Sequence, residues 1–322
     1  MRNSMIFAAL MLGVAPLLPT TGRACDFCLL QQGISPLETL SGAGARLTQR
    51  YTLLDSVYRG THEVPNPGAL EEYWTTDLSG FYSPLPGLLL LANLPYRVTH
   101  VDGHMHVHAN GVVELHDDKG GDEGIGDMAL LARYTFFTRH TLDSSTLLAF
   151  TAGVKLPTGS TNGRTDDGEY LDAHTQLGTG SWDGLFGGSF NYSRGRWSVS
   201  GNALATLAGE GEAGDGKHEF GDSVNYDATG RFRIFPAVPG GAASALFASF
   251  GIAGEWRGRE IEDGMRAVDS GGHTLYLVPG LQWNIGPHWS AEFSYRHAVH
   301  HDLNAIQLGE DYKVFGSLTY LF

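Results

Sequence analysis

The chain has 322 residues and a formal net charge of −14, with 17% charged residues, 11% aromatic residues and 44 glycines. The mean hydropathy of −0.14 excludes a bundle of membrane-spanning helices, and the acidic balance argues against a nucleic-acid partner, because no basic patch can neutralise phosphates. This composition is typical of a transmembrane β-barrel or of a large soluble all-β protein.

The first 24 residues have the pattern of a secretion signal. Arg2 supplies the positive charge, residues 6–18 form an apolar core, and Gly22 and Ala24 provide small residues for cleavage. The apolar run is too short to span a membrane as a mature helix. The sequence therefore predicts a signal peptide over 1–24 and a mature chain that begins at Cys25; acylation of Cys25 is an alternative.

The two cysteines, Cys25 and Cys28, form a C-x-x-C pair at the predicted mature terminus. In an oxidising compartment such a pair favours a local disulfide. Redox exchange, metal binding and a sleeve for a redox partner are alternatives, whereas Leu29 excludes haem attachment. Residues 25–45 lack the alternation of a strand, which predicts an N-terminal segment that plugs the barrel or lies at its periplasmic mouth.

Alternation of polar and apolar side chains begins near Arg46 and indicates strands, because successive side chains point to opposite faces. Trp289, Phe293 and Tyr295, for example, share one face of their strand. The pattern is weakest where Pro95 removes a backbone donor. We predict twelve strands, over 46–59, 70–82, 86–100, 124–138, 144–156, 180–193, 195–209, 223–235, 243–256, 270–284, 287–300 and 310–322.

The final stretch, YKVFGSLTYLF, resembles the last strand of a bacterial outer-membrane barrel. One face carries Tyr312, Leu318, Tyr320 and the terminal Phe322, and the other face is small and polar. The resemblance implies an outer-membrane location, a surface in contact with lipid, and insertion by the outer-membrane assembly machinery.

The predicted connections alternate in length. They are short after even strands and long and polar after odd strands, at about 60–69, 101–123, 157–179, 210–222, 257–269 and 301–309. This alternation is typical of an up-and-down barrel with tight periplasmic turns and long outer loops. We therefore predict an all-β, antiparallel transmembrane barrel over 46–322 with both termini in the periplasm.

The polar faces of the strands predict a charged lumen of intermediate width. Among the residues on these polar faces, which would point into the lumen, are Arg50, Asp77, Arg97, Asp127, Glu255 and Lys313. Aromatic residues near the strand ends, including Tyr73, Trp74, Trp182, Trp197, Trp289 and Phe322, would form interface girdles. The residues predicted to line the lumen and set selectivity are Arg133, Lys155, Asp183, Asp227, Arg231, Arg233, Glu292 and Arg296.

Histidine is frequent, with fourteen residues, most of them in predicted outer loops. His104, His106 and His108 alternate, so a strand would present them on one face, and His300 and His301 lie near another loop. Imidazoles two residues apart can share zinc, copper or nickel. The alternative is a solvated polar loop. The Asp- and Gly-rich loops at 160–169 and 209–222 fit turn chemistry as well as calcium.

Catalytic motifs are missing from the sequence: it contains no G-x-S-x-G, P-loop or H-E-x-x-H. We therefore predict no catalytic residues, no enzyme activity and no cofactor other than the divalent metal considered for the histidines.

Three ordered motifs resemble a family of outer-membrane transporters associated with phenol-degradation pathways, related in style to FadL-type channels for hydrophobic compounds. They are G-x-G-D within 124–137, G-x-K-x-P-T-G at 153–159 and G-T-G-x-x-D at 178–183. The resemblance implies a barrel of about twelve strands that passes small molecules.

These observations lead to two functional hypotheses. The first is a passive outer-membrane channel for a small solute, hydrophobic or aromatic if the resemblance extends to the substrate. The alternative is a surface barrel that captures a divalent metal through its histidine-rich loops.

Overall fold

The computed structural model describes residues 42–107, 113–214, 216–236 and 244–322. The predictions for the signal peptide, for Cys25 and Cys28, and for nearly all of the N-terminal segment fall outside these residues.

Twelve antiparallel strands form a closed barrel, which confirms the predicted fold. Each strand pairs with its neighbours in the chain, and the last strand pairs with the first along ten residues, from Gly44↔Leu321 to Leu53↔Tyr312. The barrel strands are β1 (Ala43–Leu54), β2 (Leu70–Leu85), β3 (Leu88–Val107), β4 (Met128–His140), β5 (Ser144–Leu156), β6 (Asp183–Arg194), β7 (Trp197–Leu207), β8 (Ser223–Phe235), β9 (Ser244–Arg257), β10 (Gly272–Ile285), β11 (Trp289–Gly309) and β12 (Tyr312–Leu321).

The alternation of each strand separates the lumen from the outer surface. On β12, Lys313, Phe315 and Thr319 are buried inside the barrel, whereas Leu318 is 43% exposed. Large apolar side chains on the outer faces are similarly exposed, which is the pattern of a lipid-facing wall. Among the described residues, no helix is long and apolar enough to cross a membrane.

Pro95 lies inside β3, where the sequence pattern was weakest. On one side β3 pairs with β4 over Leu88–Asn93 and with the short strand Glu123–Ile125 over Tyr96–Val98. Pro95 falls between these two pairings, and its carbonyl accepts a hydrogen bond from the Gly126 amide at 2.9 Å. The missing proline N–H therefore interrupts neither ladder.

The prediction of a loop at 301–309 is wrong, because β11 continues to Gly309 through a bulge with Ala305 at φ 54° and pairs with Ser56–Gly60.

The long connections carry the remaining regular structure, and we call their end of the barrel the outer end. The short elements are the strands Ser56–Gly60, His62–Val64, Val113–Gly120, Glu123–Ile125, Glu210–Ala213, Gly216–Glu219, Ile261–Glu262 and Met265–Arg266, and the 3-10 turn Ala173–Thr175.

The prediction that Tyr73 belongs to an interface girdle is also wrong. Tyr73 is 6% exposed and its hydroxyl donates to Glu71, whereas the adjacent Trp74 is 48% exposed. Neighbouring residues of a strand point to opposite faces, so only one of the two can face lipid.

Candidate functional site

The connection between β5 and β6, residues 157–182, folds into the outer half of the lumen. The last residue of its 3-10 turn and the residue that follows are buried, with Thr175 and Gln176 each 2% exposed. Arg97 of the β3 wall donates to the Leu177 carbonyl at 3.3 Å. The outer half of the barrel is therefore narrowed by its own chain.

The Lys155 cluster, formed by Asp127, Lys155 and Asp183, holds this connection in place. Lys155 forms an ion pair with Asp183, and its Nζ lies 3.5 Å from Asp127. Asp127 accepts hydrogen bonds from the Gly159 amide at 3.0 Å and the Thr179 amide at 2.8 Å. The three sequence motifs thus meet in one cluster, where two carboxylates share a lysine and bind the backbone of the connection.

The glycines of these motifs allow the close approach. A Cβ on Gly178 would lie 2.6 Å from Asp127 Oδ1 and 2.6 Å from the Gly159 carbonyl oxygen. A Cβ on Gly159 would lie 2.6 Å from the Gly178 amide nitrogen. Any larger residue would displace the connection from the cluster.

The Lys313 cluster, formed by Glu255, Lys313 and Glu310, lies across the lumen on β9, β12 and the turn before β12. Lys313 Nζ lies 2.8 Å from Glu255 Oε1 and 2.7 Å from Glu310 Oε2. The Tyr276 hydroxyl donates to Glu310, and Arg296 lies 3.9 Å from Glu255. The sequence analysis placed Glu310 at the start of its last predicted strand, 310–322, and did not single it out; in the structure Glu310 lies in the turn before β12.

The two lysine clusters face a common constriction, a cavity of about 50 Å³. Outside it lies a vestibule of about 460 Å³, and a third cavity of about 80 Å³ lies against β1 and β2. His174 lines all three cavities. The constriction is lined by residues of both clusters and by Arg97, Ala173, His174, Gln176, Gly178, Thr179, Thr206, Ala208, Phe220, Gly221, Ser223, Asn225 and Arg257.

His174 connects the inward-folded segment to the opposite wall. Its Nε2 lies 3.2 Å from Oε1 of Glu71 on β2. Burial lowers the pKa of His174, but the charge and hydrogen bond of Glu71, together with the nearby Asp172 and Glu260 carboxylates, more than offset this and raise the pKa to about 9. A protonated His174 therefore forms an ion pair at neutral pH, partly screened because its side chain remains 35% exposed.

Six of the eight residues predicted to set selectivity are buried in the barrel. Arg133, Lys155, Asp183, Asp227, Arg231 and Arg296 are each at most 7% exposed. Glu292 forms a 2.7 Å ion pair with Arg46, a residue that the sequence analysis did not single out.

Two positively charged members of this set differ in their surroundings. The Arg296 guanidinium lies over the Phe315 ring at 4.8 Å, in the middle of the lumen. Arg233 lies at the inner end, where its Nη2 donates to the Gly195 carbonyl at 3.0 Å and supports a short turn.

The histidines predicted to bind metal are not brought together among the described side chains. His300 and His301 are adjacent on β11 and point to opposite faces; His301 Nε2 lies 3.0 Å from the Glu310 carbonyl oxygen. The side chains of His104 and His106, and all of His108, fall outside the described residues. The structure instead gathers His218, Glu260 and Glu262, whose candidate ligand atoms lie within 4.8 Å of one another.

Comparisons with known proteins agree with this architecture. The family model described as "Putative MetA-pathway of phenol degradation" matches residues 72–305. An outer membrane channel from Pseudomonas putida F1 is similar over 90% of this chain and 99% of its own, with a TM-score of 0.64 and 16% identity, which shows a common fold. No curated protein sequence matches the chain.

Two further solved structures resemble the chain more distantly. A Pseudomonas aeruginosa FadL homologue has a TM-score of 0.38 and 11% identity, with coverage of 88% of this chain and 91% of its own. The Ralstonia pickettii toluene transporter TbuX has a TM-score of 0.38 and 10% identity, with coverage of 94% and 95%. Likenesses at this level support no inference about the function of this chain.

Proposed function

This chain belongs to the family described as "Putative MetA-pathway of phenol degradation", and we propose that it is a passive outer-membrane channel for a small solute. The Pseudomonas putida protein of similar fold is an outer membrane channel, which is consistent with this proposal. Diffusion through a lumen requires neither a cofactor nor a chemical step.

The observation that carries the proposal is the row of ionisable side chains inside an apolar wall. Burial of unpaired charges costs several kcal/mol each, so such a row requires pairing or hydration. The lysine clusters supply pairing, and the vestibule of about 460 Å³ supplies a hydrated entrance. A lumen of this kind fits a conduit better than it fits a purely structural barrel.

The lumen also contains an apolar patch on the inner side of the Lys155 cluster. Leu131, Leu185 and Leu204 pack together with Ala129 and are at most 5% exposed. These side chains have almost no free surface, so the patch lowers the polarity of this part of the lumen without offering a contact surface. Low polarity next to the charged constriction is compatible with an aromatic or hydrophobic solute, whose size the constriction of about 50 Å³ limits.

We extend the proposal to the ends of the chain. Residues 1–24 would be removed on secretion, residues 25–45 would gate the periplasmic mouth, and Phe322 would be read by the assembly machinery. The exposed position of Phe322, at 65%, supports the last of these roles.

Planar-bilayer recording of the refolded mature chain tests the channel. We expect discrete conductance steps that increase when residues 25–41 are deleted, a change that leaves β1 (Ala43–Leu54) intact. Folding is checked by heat-modifiable gel mobility, so that a failed insertion is not mistaken for a closed pore. A folded deletion variant that carries no current contradicts the proposal.

The metal-capture alternative depends on its predicted ligands. His300 and His301 are adjacent on β11 and point to opposite faces, and no observation on the described side chains supports a shared ion there. The channel is therefore the better supported function.

A further inference from the structure

A small four-stranded sheet joins two outer connections above the barrel. Strands Glu210–Ala213 and Gly216–Glu219 come from the β7–β8 connection, and Ile261–Glu262 and Met265–Arg266 come from the β9–β10 connection. The sheet is joined across the connections by the pairs His218↔Glu262 and Glu219↔Ile261. His218 and Glu262 are therefore cross-strand neighbours from different loops.

A third side chain from the same region completes a cluster. His218 Nε2 lies 3.0 Å from Glu260 Oε2, and His218 Nδ1 lies 4.0 Å from Glu262 Oε1. The His218 and Glu260 side chains are 5% and 9% exposed, whereas that of Glu262 is 61% exposed. Two donors are thus positioned by the fold, and the third can adjust toward them.

The backbone around Glu260 is held independently of the cluster. The Glu260 amide donates to Ser270 Oγ at 2.9 Å, and the Ala267 amide donates to the Glu260 carbonyl at 3.0 Å. A ligand that is already oriented loses little conformational freedom on binding, which is the usual requirement for a built metal site.

The electrostatics of the cluster favour an added cation. Burial raises the pKa of Glu260, but the hydrogen bond from His218 and the nearby charges of Arg257 and His174 together more than offset this and lower the pKa below its usual value, so Glu260 stays ionised. Burial and the nearby Glu260, Asp172 and Asp269 carboxylates raise the pKa of Glu262. Two carboxylates and one imidazole therefore lie together with their candidate ligand atoms within 4.8 Å of one another, and a divalent ion would balance the charge of the two carboxylates.

We propose that His218, Glu260 and Glu262 bind one divalent first-row cation, such as Zn²⁺, and thereby link the two outer connections at the wall of the vestibule. One imidazole nitrogen and two carboxylate oxygens are ligands that Zn²⁺ accepts at about 2.0–2.2 Å. Ligands at these bond lengths in a tetrahedron lie roughly 3.3–3.5 Å apart, and a modest rotation of the exposed Glu262 would complete such a set.

The remaining coordination position faces the solvent of the vestibule. All three residues line that cavity of about 460 Å³, so the ion has an entry path and room for a water ligand. This inference does not depend on solute transport, because binding can be measured on a barrel that does not conduct.

The test is a Zn²⁺ titration by calorimetry of tag-free, refolded protein in detergent. We expect one ion per barrel, and a loss of affinity of at least about tenfold in Glu262→Gln and more in His218→Ala, since removal of even an outer-shell partner costs about 10–100-fold. Glu219→Gln is the matched control, because Glu219 lies on the same strand as His218 but points to the opposite face.

Co²⁺ provides a second readout. Visible absorption from bound Co²⁺ should appear with the wild-type protein and the control, and should disappear in His218→Ala. Heat-modifiable gel mobility shows that each variant has folded, and Glu262→Gln changes an exposed side chain, so at least one variant should remain folded.

Two results would overturn the inference. One is the absence of any Zn²⁺ or Co²⁺ binding by the folded wild-type protein. The other is binding that survives His218→Ala and Glu262→Gln but is lost when His104, His106 and His108 are changed to Ala, which would place the metal at the loop predicted from sequence.

Discussion

The Lys155 and Lys313 clusters contain the same kinds of charge, one lysine between two carboxylates, but differ in what the carboxylates bind. Asp127 and Asp183 accept hydrogen bonds from the backbone amides of Gly159, Thr179 and Gly209, and their side chains are at most 4% exposed. They therefore fix the position of a long segment of chain.

The carboxylates of the Lys313 cluster bind side chains instead. Glu255 interacts with Lys313 and Arg296, and Glu310 with Lys313 and Tyr276. Their side chains are 16% and 23% exposed. The Lys155 cluster therefore stabilises the shape of the lumen, whereas the Lys313 cluster presents its charge to the permeation path.

The largest expected effect follows from Lys155→Met. This change leaves two buried carboxylates without their lysine, which costs about 3–5 kcal/mol. Urea unfolding of the refolded barrel in micelles measures the loss, and Lys313→Met should lose clearly less. Equal losses in the two variants would contradict the distinction between the clusters.

The next effect isolates the backbone that the Lys155 cluster holds. In Gly178→Ala the added Cβ meets Asp127 and the Gly159 carbonyl at 2.6 Å, and we expect a cost on the order of 1–3 kcal/mol. The displaced connection should become sensitive to trypsin after the exposed Arg164. Gly80→Ala is the control, because its Cβ would enter open space, and equal cleavage of both variants would contradict the prediction.

The third effect concerns charge and not stability. Lys313→Met removes the positive charge between Glu255 and Glu310, so the lumen becomes more negative and should pass cations several-fold more readily relative to anions. The reversal potential under a KCl gradient measures the shift. The control is Lys217→Met, on the small four-stranded sheet of the outer connections, which should shift the reversal potential less. An unchanged reversal potential in Lys313→Met would show that the Lys313 cluster does not face the permeation path.

The smallest expected effect is a pH dependence of the inward-folded segment. The pKa of His174 is raised to about 9, so its ion pair with Glu71 contributes fully below the unfolded value of about 6.5 and is lost as pH rises through about 9. Conductance should therefore increase between pH 8 and pH 10. His174→Gln should remove this step, and an unchanged step in that variant would assign the dependence to another group.

Sequence patterns predicted most of the fold because side-chain alternation follows from strand geometry alone. All twelve strands were located, and Lys155 and Arg296, which alternation placed on polar strand faces, are buried. Two predictions were wrong because they considered the type of residue but not the strand face on which it lies or the strand with which it pairs. Tyr73 was placed with lipid although Trp74 already occupied that face, and 301–309 was read as a loop although it pairs with Ser56–Gly60.

The candidate site was predictable only in part. Alternation along the strands placed Asp127, Lys155 and Asp183 on polar faces, but it did not indicate that the three side chains meet. Glu310, His174 and the trio of His218, Glu260 and Glu262 carried no comparable signal, since each is one polar residue among many in an outer connection.

The sequence by itself determined that this protein is a closed barrel with a charged interior, because a period of two divides every strand into a lipid face and a lumen face. Only the tertiary structure decided which charges meet. Contacts such as Asp127 with Thr179, or His218 with Glu260, join residues 52 and 42 positions apart. They depend on how the long connections fold back, which no local pattern specifies.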